Sequence, residues 1–272
     1  MTATLIISTY NRPDALRLCV LSALRQTRLP DQIVIGDDGS GPETARTVKE
    51  LQALSPVPIT HVWQEDKGFR VARIRNLSVA AATGDYIIQV DGDIIMDRRF
   101  VSDHLALSQP GTILRGRRVC LTDTASRRIC ATPAHLPHLG LFSRGIESRR
   151  MNALHLMPMA KRIAAGYRKN RPGIMGCNMS FWREDFVAVN GYDESFNGWG
   201  FEDSDLAIRM QMNGVRKHDL KFVAIAWHLH HGHPYMANKD ENYKRMQCNR
   251  KAGEVRSSLG IDRHRDKNVG NY

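Results

Sequence analysis

Short apolar runs alternate with segments of helical periodicity over the first hundred residues of this chain. The apolar runs occupy residues 5–8, 33–35, 59–63 and 86–90. Between them lie helix patterns that begin at Pro13, cover residues 44–54 and cover residues 71–81. Strands joined by helical crossovers form parallel sheets, because a tight turn cannot connect a parallel pair. The pattern predicts an α/β protein with a mostly parallel central sheet flanked by helices.

Two carboxylates follow the fourth apolar run, at Asp91 and Asp93 with Gly92 between them. The run itself is typical of a strand buried on both faces. Ligands of open α/β sheets collect at the carboxyl ends of strands, and carboxylates in that place suit Mg²⁺ or Mn²⁺. An acidic turn is the alternative interpretation, since Asp and Gly are common turn residues. We favour a divalent cation that offsets the charge of a bound diphosphate.

A net charge of +11 on 272 residues predicts a polyanionic partner, such as nucleic acid, an anionic lipid surface or a phosphorylated substrate. Nucleic acid is not favoured, because no recognition helix, RNA-binding motif or zinc finger stands out. A basic surface that serves only solubility is the alternative. The five scattered cysteines favour a reducing compartment. Since no apolar run approaches about 20 residues and no signal-peptide pattern is seen, we expect a cytoplasmic protein.

A basic stretch interrupts the α/β pattern between residues 110 and 172. Within it, residues 148–169 mix apolar and basic side chains and could lie on the inner face of an anionic membrane, although Pro158 interrupts any single long helix. A mobile insertion or an ordinary packed helix pair is the alternative. Further along, the sequence predicts a helix over residues 204–212 and a strand over residues 222–227. The polar, basic last thirty residues predict a loosely packed tail.

Five motifs occur in order along the chain. They are residues 8–13 (STYNRP), 36–40 (GDDGS), 72–76 (ARIRN), 91–93 (DGD) and 197–203 (NGWGFED). The first four closely resemble the donor half of family 2 glycosyltransferases with a GT-A-type fold. The fifth resembles the acceptor-side motif of galactosyltransferase-like C-terminal regions. The match extends over roughly residues 4–105 and 174–235, and it leaves the basic stretch and the tail uncovered.

The resemblance implies one glycosyltransferase domain over residues 1–235, followed by a basic tail over residues 236–272. The domain would comprise a donor-nucleotide half (1–108), a variable basic insertion (109–173) and an acceptor and catalytic half (174–235). The implied activity is that of an inverting, metal-dependent hexosyltransferase that uses a nucleoside-diphosphate sugar, with a UDP-sugar favoured. The receiving hydroxyl would belong to a growing surface glycan or a lipid-linked saccharide.

The resemblance also assigns donor-binding residues. Residues after the first strand would touch the base and ribose, and Asp38, with Asp37 as the alternative, would accept a hydrogen bond from a uracil ring. Arg75 and its neighbour match an arginine-asparagine pair near the diphosphate, although Arg73 is an alternative, and Lys67 could also serve a phosphate. The residues expected to bind the donor are Thr9, Tyr10, Asn11, Arg12, Asp38, Lys67, Arg75, Asn76 and Asp91.

A metal site is expected around Asp93, with Asp91 contributing directly or through ribose and water. A neutral imidazole can complete a metal shell begun by carboxylates. His228 is favoured for this role because it follows an apolar run, and His231 is the second choice. Zinc held by the four histidines of residues 228–233 is an alternative.

An acidic pair at a predicted helix start provides the candidate catalytic groups. Asp203 is expected to act as the general base on the acceptor hydroxyl, and Glu202 to bind acceptor hydroxyls or to substitute as base. Helix capping is the alternative, since acidic residues favour the first helical turn. Trp199 and Gly200 are expected to contact the acceptor sugar, although Trp199 could also be an ordinary core residue.

Two other classes of function compete with sugar transfer. A sugar nucleotidyltransferase would carry a glycine-rich, basic loop after the first strand, and Thr9-Tyr10-Asn11 is not such a loop. A basic nucleic-acid-binding protein would show salt-sensitive binding without metal-dependent binding of a nucleotide.

Overall fold

The structure is a computed structural model that describes residues 1–165, 174–232 and 236–264. Its strands are β1 (Ala3–Thr9), β2 (Gln32–Asp37), β3 (Ile59–Trp63), β4 (Tyr86–Asp91), β5 (Ile94–Met96), β6 (Thr112–Arg115), β7 (Val119–Leu121), β8 (Ile146–Ser148), β9 (Asn178–Trp182), β10 (Arg216–Asp219) and β11 (Ala226–His228). Its helices are α1 (Pro13–Ala23), α2 (Pro42–Leu54), α3 (Val71–Ala80), α4 (Phe100–Leu107), α5 (Asp123–Cys130), α6 (Met157–Ala165), α7 (Arg183–Ala188), α8 (Glu202–Met212) and α9 (Lys239–Ala252). Single 3-10 turns cover Arg150–Ala153 and Ile261–His264.

Seven strands form the central sheet, in the order β10-β6-β9-β4-β1-β2-β3. The four strands β4, β1, β2 and β3 run parallel, and β10 pairs in parallel with β6. Only β9 is antiparallel to its neighbours in this sheet, β4 and β6. The predicted α/β fold with a mostly parallel sheet is therefore confirmed. A smaller sheet, in the order β5-β11-β7-β8, continues from the end of β4.

Both faces of the central sheet are covered by helices. Successive side chains of a strand point to opposite faces, so Leu5 and Ile7 of β1 join one apolar cluster whereas Ile6 joins another. Helices α1, α2, α4 and α6 pack in the first cluster, and α3, α7 and α8 pack in the second. This double coverage is the reason that the strands of the first hundred residues read as continuous apolar runs.

Chain direction brings many loops to one edge of the central sheet. The parallel strands β1, β2, β3 and β4 all end there. Because β9 runs antiparallel between β4 and β6, it begins at this edge, and β6 and β10 end at it. We call this side the carboxyl edge. A ligand bound there can contact residues that are far apart in the sequence.

A buried hydrogen-bond network joins α4 to β4 and β9. His104 has no exposed surface; its Nε2 lies 3.0 Å from Asn178 Oδ1 and its Nδ1 lies 2.7 Å from the Ser180 hydroxyl. Asn178 must offer its oxygen to His104, because its Nδ2 donates to two backbone carbonyls. The Tyr86 hydroxyl lies 2.7 Å from that of Ser180. Tyr86 can therefore donate to Ser180, Ser180 to His104 Nδ1, and His104 Nε2 to Asn178 Oδ1. Burial lowers the pKa of His104 to about 4, and the imidazole is neutral.

Acid should weaken the fold through His104. Its pKa falls from 6.5 to about 4 on folding, so the unfolded chain binds more protons between these values and stability decreases as the pH falls through them. The free energy of unfolding should drop by about 2 kcal/mol from this group between about pH 7 and pH 5. His104→Gln keeps a donor and an acceptor but cannot titrate, so it should remove that part of the pH dependence. Urea unfolding at both pH values tests this, and an equal pH dependence in both proteins would contradict it.

The basic stretch folds into several short elements. Residues 148–165 comprise the end of β8, a 3-10 turn and α6, and the rest of the expected membrane segment lies outside the described residues. Pro158 is the second residue of α6, where proline is tolerated. Ala160 and Ala164 pack in the core, as expected for an ordinary packed helix. Among the helices described here, none has the length and apolar character needed to cross a membrane.

The second half of the chain departs from the sequence expectations in two places. The strand expected over residues 222–227 is wrong in its first part, because Phe222 and Ala224 have positive φ angles of 66° and 48° and β11 begins only at Ala226. The loosely packed tail is also wrong as far as residue 264, because α9 packs on α8 and buries Met246, and Ile261 packs beneath α3. The predicted helix over residues 204–212 is confirmed as the main part of α8.

Candidate active site

The turn after β4 separates two carboxylates. Gly92 N donates to Ser8 O at 2.7 Å, and a Cβ at Gly92 would lie 3.1 Å from Ser8 O and from Thr9 Cβ. This close approach fixes the turn against β1 and leaves little room for a side chain. Asp91, before the turn, contacts Arg75 of α3, whereas Asp93, after it, contacts His228 at the end of β11 and His231 just beyond. The pair that the sequence suggested as one metal site therefore serves two different groups of side chains.

Asp93, His228 and His231 form a compact group at the carboxyl edge, with one ligand atom from each lying within 4.8 Å of the others. Asp93 Oδ2 is 3.6 Å from His228 Nε2 and 3.5 Å from His231 Nε2. Asp93 Oδ1 is buried and has no hydrogen-bond partner in the described part of the chain. Such unpaired buried oxygens are rare, and a bound cation would satisfy this one.

The donor set of this group fits a divalent metal. Burial lowers the pKa of His228 to about 4, so its imidazole is neutral, which is the form that binds a metal. One carboxylate and two imidazoles suit a transition metal such as Mn²⁺ or Zn²⁺ better than Mg²⁺, which prefers oxygen ligands. The structure brings both favoured histidines to Asp93, while Asp91 is not a member of the group.

Two neighbouring residues complete the surroundings of Asp93. Arg12 Nη1 lies 3.0 Å from Asp93 Oδ2, and Arg12 Nη2 donates to His230 O at 3.4 Å. The imidazole of His230 lies instead 3.4 Å from Asp123. Zinc bound by all four histidines of the run is not supported, since His230 is outside the group; His233 lies outside the described residues.

A single buried arginine joins the three other acidic residues of the site. Arg75 on α3 is 4% exposed, and its guanidinium lies 3.1 Å from Asp91, 3.0 Å from Glu202 and 2.7 Å from Asp203. The ring of Tyr192 lies 5.4 Å from the guanidinium carbon. Breaking a buried pair of this kind leaves an uncompensated charge and typically costs about 3–5 kcal/mol. Arg75 therefore holds the carboxylates in place.

The charges of this cluster shift one another's pKa. Burial lowers the pKa of Arg75, but Asp203, Tyr192, Asp91 and Glu202 outweigh it and hold that pKa well above its usual value. Burial and the neighbouring charge of Asp203 raise the pKa of Glu202 to about 8 against the opposing effect of Arg75. Partial desolvation also raises the pKa of Asp91, whose side chain is 32% exposed. Glu202 therefore keeps its proton to a higher pH than an ordinary glutamate does.

The start of α8 carries Glu202 and Asp203 into the cluster. Phe201, just before the helix, has a φ of 72°, a conformation that is uncommon for a bulky side chain and is found at functional sites. Gly176 N donates to Asp203 Oδ2 at 2.7 Å, and a Cβ at Gly176 would lie 2.7 Å from Asp203 Oδ1. Both acidic residues lie in the first turn, where the helix dipole favours them, and both also contact Arg75. The capping and functional interpretations are thus compatible.

The loop before α8 presents Trp199 as a partly exposed residue, which excludes an ordinary core position. Trp199 N donates to Ala237 O at 3.2 Å, and Lys239 Nζ lies 5.7 Å from the centre of the indole ring. Asn242 of α9 donates to the backbone carbonyl of Trp199 at 3.3 Å. Gly200 has a φ of 94°, and no atom of the described residues lies within 4 Å of where its Cβ would be, so these residues leave room for a ligand here. The C-terminal helix therefore supports this loop.

Residues expected at the nucleotide lie together after β1 and β2. Asp38 N donates to Thr9 O at 3.0 Å, and Asn11 N donates to the Ser40 hydroxyl at 2.8 Å. Burial raises the pKa of Asp38, which accepts from Arg70 N at 2.9 Å. Its position at a strand end next to β1 is consistent with the base-binding role suggested by the motif. The side chain also helps to hold the loop before α3.

The remaining residues of the expected donor surface differ in exposure. Tyr10 is 49% exposed, and its hydroxyl donates to Asp66 at 2.8 Å. The Lys67 side chain is 61% exposed and pairs with Glu65 at 2.8 Å. Asp37, the alternative to its neighbour Asp38, is 1% exposed and accepts from a backbone amide of its own turn. Asp37 therefore closes the turn, while Tyr10 and Lys67 are accessible to a ligand.

Two expected diphosphate contacts are not brought to an open surface. Asn76 is fully buried, and its amide donates to Tyr192 O and to Glu194 Oε1 at 2.9 Å. Arg75 is occupied by carboxylates, as described above. The expectation that these two residues bind the diphosphate therefore stays a prediction, and in this structure both are engaged by other residues of the chain. Their physical role is to fix α3 against the acceptor half. Arg73, the other arginine of the motif, donates to Gln64 Oε1 at 2.5 Å.

Sequence reasoning missed Gly176 and Tyr192, which complete the acidic cluster. The Tyr192 hydroxyl lies 3.4 Å from Asp203 Oδ1 and also contacts Gln89. Gln89 in turn donates to Gly176 O at 3.0 Å. One signal was present, because Gln89 is a polar residue inside an otherwise apolar strand. A buried amide must find partners, and these partners are residues of the site.

Comparisons with known proteins agree with this geometry. Residues 4–186 match the family model described as glycosyl transferase family 2, and residues 158–233 match one described as the N-terminal domain of galactosyltransferase. Validoxylamine A glucosyltransferase of Streptomyces hygroscopicus subsp. limoneus is 28% identical over 231 residues, which are 78% of this chain and 48% of that protein. Chondroitin synthase of Escherichia coli is 23% identical over 245 residues, which are 83% of this chain and 34% of that protein.

Solved structures show the same fold. The mannosyltransferase PcManGT from Pyrobaculum calidifontis, in complex with GDP-Man and Mn²⁺, superposes with a TM-score of 0.59 at 18% identity and covers 93% of this chain and 62% of its own. GalNAc-T7 with UDP, GalNAc and Mn²⁺ gives a TM-score of 0.62 at 16% identity over 90% of this chain and 47% of its own.

The curated relatives are longer proteins, and this chain spans about half of the glucosyltransferase and a third of the synthase. The family match nevertheless extends over more than half of the chain and includes the strand end that carries Asp91 and Asp93. The GT-A fold expected from the motifs is confirmed by the structural neighbours. On these grounds, the chain belongs to glycosyl transferase family 2.

Proposed function

We propose that this protein is an inverting, metal-dependent glycosyltransferase. It moves a sugar from a nucleoside diphosphate, with UDP favoured, to a hydroxyl of a surface glycan or a lipid-linked saccharide. The observation that carries the proposal is the pairing of two groups across the turn Asp91-Gly92-Asp93. On one side is a carboxylate–imidazole group suited to a divalent cation, and on the other is an acidic cluster held by Arg75. The two sides of this turn would thus offer groups for the leaving diphosphate and for the attacking hydroxyl.

Asp93, His228 and His231 would hold Mn²⁺, or Mg²⁺ with more water in its shell. When bound, the metal acts as a Lewis acid that offsets charge on the leaving diphosphate. Arg12 Nη1 contacts Asp93 Oδ2, so Arg12 would add a second positive charge beside the metal. Asp91, which is 32% exposed beside the turn, is available to the ribose or to water. The Mn²⁺ complexes of two structural neighbours support the choice of metal.

Asp203 is the proposed general base. Its side chain is 17% exposed, compared with 9% for Glu202, and three donors, Arg75, Gly176 N and the Tyr192 hydroxyl, fix its orientation. Oδ1 accepts from both Arg75 and Tyr192, whereas Oδ2 accepts only from Gly176 N, so Oδ2 keeps a lone pair that can take the proton of a hydroxyl. Glu202, which keeps its proton to a higher pH than an ordinary glutamate does, would bind acceptor hydroxyls as a hydrogen-bond donor. Attack by a hydroxyl activated in this way, on the face opposite the diphosphate, inverts the anomeric centre.

The two ends of the cleft would bind different substrates. Thr9, Tyr10, Asn11 and Asp38 lie at the ends of β1 and β2, and they would bind the base and ribose, with exposed Lys67 near the phosphates. Trp199 and Gly200 lie in the loop before α8 and would contact the acceptor sugar. The proposed nucleotide-binding residues belong to the donor half (1–108), and the proposed acceptor-binding residues belong to the acceptor half (174–235).

A cytoplasmic location with peripheral binding to an anionic membrane is proposed from the net charge of +11 and the exposed Lys161 and Arg162 on α6. A lipid-linked acceptor would be reached at such a surface. Co-sedimentation with vesicles that contain phosphatidylglycerol tests this location, and failure to bind them at low salt would exclude it.

Nucleotide binding in the presence of metal tests the proposed activity most directly. Thermal unfolding with UDP, GDP or dTDP, each with and without Mn²⁺, should show stabilisation that requires both UDP and the metal. Any ligand that binds only the folded state at about 100 times its dissociation constant stabilises it by about 2.7 kcal/mol. A screen of sugar donors by nucleotide release then identifies the sugar. Stabilisation by nucleic acid without an effect of UDP and Mn²⁺ would overturn the proposal, and pyrophosphate release from a nucleoside triphosphate would indicate a nucleotidyltransferase.

A further inference from the structure

A cavity of about 620 Å³ is lined by four arginines: Arg115, Arg117, Arg149 and Arg150. Met151, Asn152 and Met175 complete the lining, so no acidic side chain among the described residues lines the cavity. Its volume is within the range of about 300–1,000 Å³ that is typical of ligand pockets. The lining combines guanidinium groups with two thioethers, which is a surface suited to a saccharide that carries negative charge. We call this cavity the arginine pocket.

The arginine pocket lies beside the proposed catalytic cluster. Met175, in its wall, is followed by Gly176, whose amide donates to Asp203. On the other wall, the segment after Arg117 continues into β7, which pairs with the strand that ends at His228. The pocket wall is thus one residue along the chain from Gly176, which contacts Asp203, and three residues from Cys120, which pairs with His228.

Sheet order places the arginine pocket on the acceptor side. In the central sheet, β1, β2 and β3 lie on one side of β4, and their ends carry the proposed nucleotide-binding residues. On the opposite side of β4 lie β9, β6 and β10. Arg115 is the last residue of β6, and Met175 precedes β9, so the pocket opens on that opposite side at the carboxyl edge. A donor nucleotide and a ligand of the pocket would therefore approach the metal group from two directions.

The charge of the arginine pocket is only partly balanced. Asp219, at the end of β10, lies 3.3 Å from Arg115 and 3.8 Å from Arg117. Arg150 donates to the backbone carbonyls of Leu141 and Ser143, which do not carry a charge. No carboxylate in the described parts of the chain pairs with Arg149. Among the described residues, Asp219 pairs with Arg115 and Arg117, and an anionic group of a ligand would add negative charge beside Arg149 and Arg150.

The walls of the pocket are held rigid. Asn178 Nδ2 donates to Arg117 O at 2.7 Å, and Asn152 Nδ2 donates to Arg118 O at 2.8 Å. Arg149 has a φ of 61°, a conformation that is uncommon outside glycine and that turns the chain into the 3-10 turn of the opposite wall. Because these contacts fix the backbone in advance, little ordering is left for binding, which favours affinity.

We infer that the arginine pocket binds a phosphate or carboxylate group of the acceptor saccharide and so selects an anionic glycan as acceptor. This inference rests on the proposed transferase function, which it extends to the class of acceptor. Arginine is suited to both anions because its planar fork makes two parallel hydrogen bonds to a carboxylate or a phosphate. The neutral sugar that receives the transfer would lie at Trp199 and Asp203, and its charged neighbour in the pocket.

Binding of matched saccharides tests the inference. The probes are a tetramer of galacturonic acid, its methyl ester, in which the same sugars are uncharged, and a glycerol phosphate tetramer. Calorimetric titration in the presence of UDP and Mn²⁺ should show binding of at least one anionic probe at least tenfold tighter than that of the ester. Its affinity should decrease from about 50 to about 300 mM NaCl, because salt screens charge. A carboxylate ligand and a phosphate ligand are distinguished by which of the two anionic probes binds.

Variants of the parent protein locate the binding site. Arg149→Gln and Arg117→Gln should each weaken the anionic probe about tenfold, as the loss of one charge-assisted hydrogen bond does. Arg28→Gln is the matched control, since Arg28 pairs with Asp31 before β2, at the opposite edge of the sheet. Equal affinity of the two pocket variants and the control would overturn the inference. So would equal binding of the acid and its ester, or the failure of every probe to bind.

Two further readouts separate this inference from the proposed function. UDP stabilisation with Mn²⁺ should be the same in the parent and the pocket variants, because neither arginine lies on the nucleotide side. If UDP binds with metal but no anionic saccharide does, the transferase proposal stands and the inference fails. If the saccharide binds and UDP does not, the pocket is an anion site and the transferase proposal fails. A third outcome is that the parent protein binds phosphatidylglycerol vesicles but no saccharide, and that Arg117→Gln and Arg149→Gln bind the vesicles more weakly. The pocket would then bind a membrane, and the inference would be overturned.

Discussion

Asp203→Asn should reduce turnover by about 10²–10⁴-fold while UDP binding in the presence of Mn²⁺ stays intact, because a general base contributes a factor of that size and does not hold the donor. Asparagine has nearly the shape of aspartate, so it can still accept from Gly176 N, although its amide cannot take a proton. The measurement is the rate of UDP release from the donor found by screening, with thermal stabilisation by UDP and Mn²⁺ as the check on donor binding. A turnover within a few-fold of the parent would refute the assignment.

Glu202→Gln is the matched control for this variant. The pKa of Glu202 is raised to about 8, so below that pH the side chain is largely protonated and glutamine is a close mimic of it. We therefore expect Glu202→Gln to lose much less activity than Asp203→Asn. If Glu202 were the base instead, turnover would increase as the pH rises through about 8, where the carboxyl loses its proton, and the effects of the two variants would be reversed.

The sequence predicted the first half of the fold well because the signals there are local. The strands β1, β2 and β4 are buried on both faces, and β3 is rich in β-branched and aromatic residues. Each crossover helix has its own periodicity, so neighbouring residues suffice to identify β1 to β4. β9 was not predicted, since Asn178–Trp182 is short and three of its polar groups are satisfied only by distant partners such as His104 and Tyr86. The α9 helix was missed for a related reason. It is strongly polar, and it buries little besides Asn242 and Met246.

The contacts within the candidate site also depend on residues that are distant in the sequence. The motifs identified Asp91, Asp93, Asp203 and both histidines as candidates, but they did not show which residues meet. Arg75 was expected at the diphosphate, and the structure instead places it among three carboxylates that lie 16, 127 and 128 residues away. The residues that Arg75 meets are decided by the packing of α3 on β1 and β2 and by the position of the start of α8. The arginine pocket also depends on tertiary structure, because its arginines come from two separate segments of the basic stretch.

Asp93→Asn should abolish the part of UDP stabilisation that depends on Mn²⁺, which is about 2.7 kcal/mol when the nucleotide is near 100 times its dissociation constant. The variant keeps the size of the side chain and an oxygen that can accept from Arg12, so the fold should be retained. It removes the negative charge and the unpaired oxygen that make the site fit a cation. Asp93→Ala should have the same effect on metal dependence. Chemical unfolding with UDP alone, with Mn²⁺ alone and with both measures the loss.

Two histidines of residues 228–231 provide a test and a control for the metal site, because they differ only in their position relative to Asp93. His231 lies 3.5 Å from Asp93, whereas His230 lies beside Asp123, so His231→Ala should weaken the Mn²⁺ effect and His230→Ala should not. Asp123→Asn removes one negative charge near the same run without touching the metal group, and it should leave the Mn²⁺ effect unchanged. Equal Mn²⁺ dependence in Asp93→Asn and in Asp123→Asn would show that the cation binds elsewhere. In that event the chemistry proposed for the site would lose its basis, because no metal beside the turn would offset the charge of the leaving diphosphate.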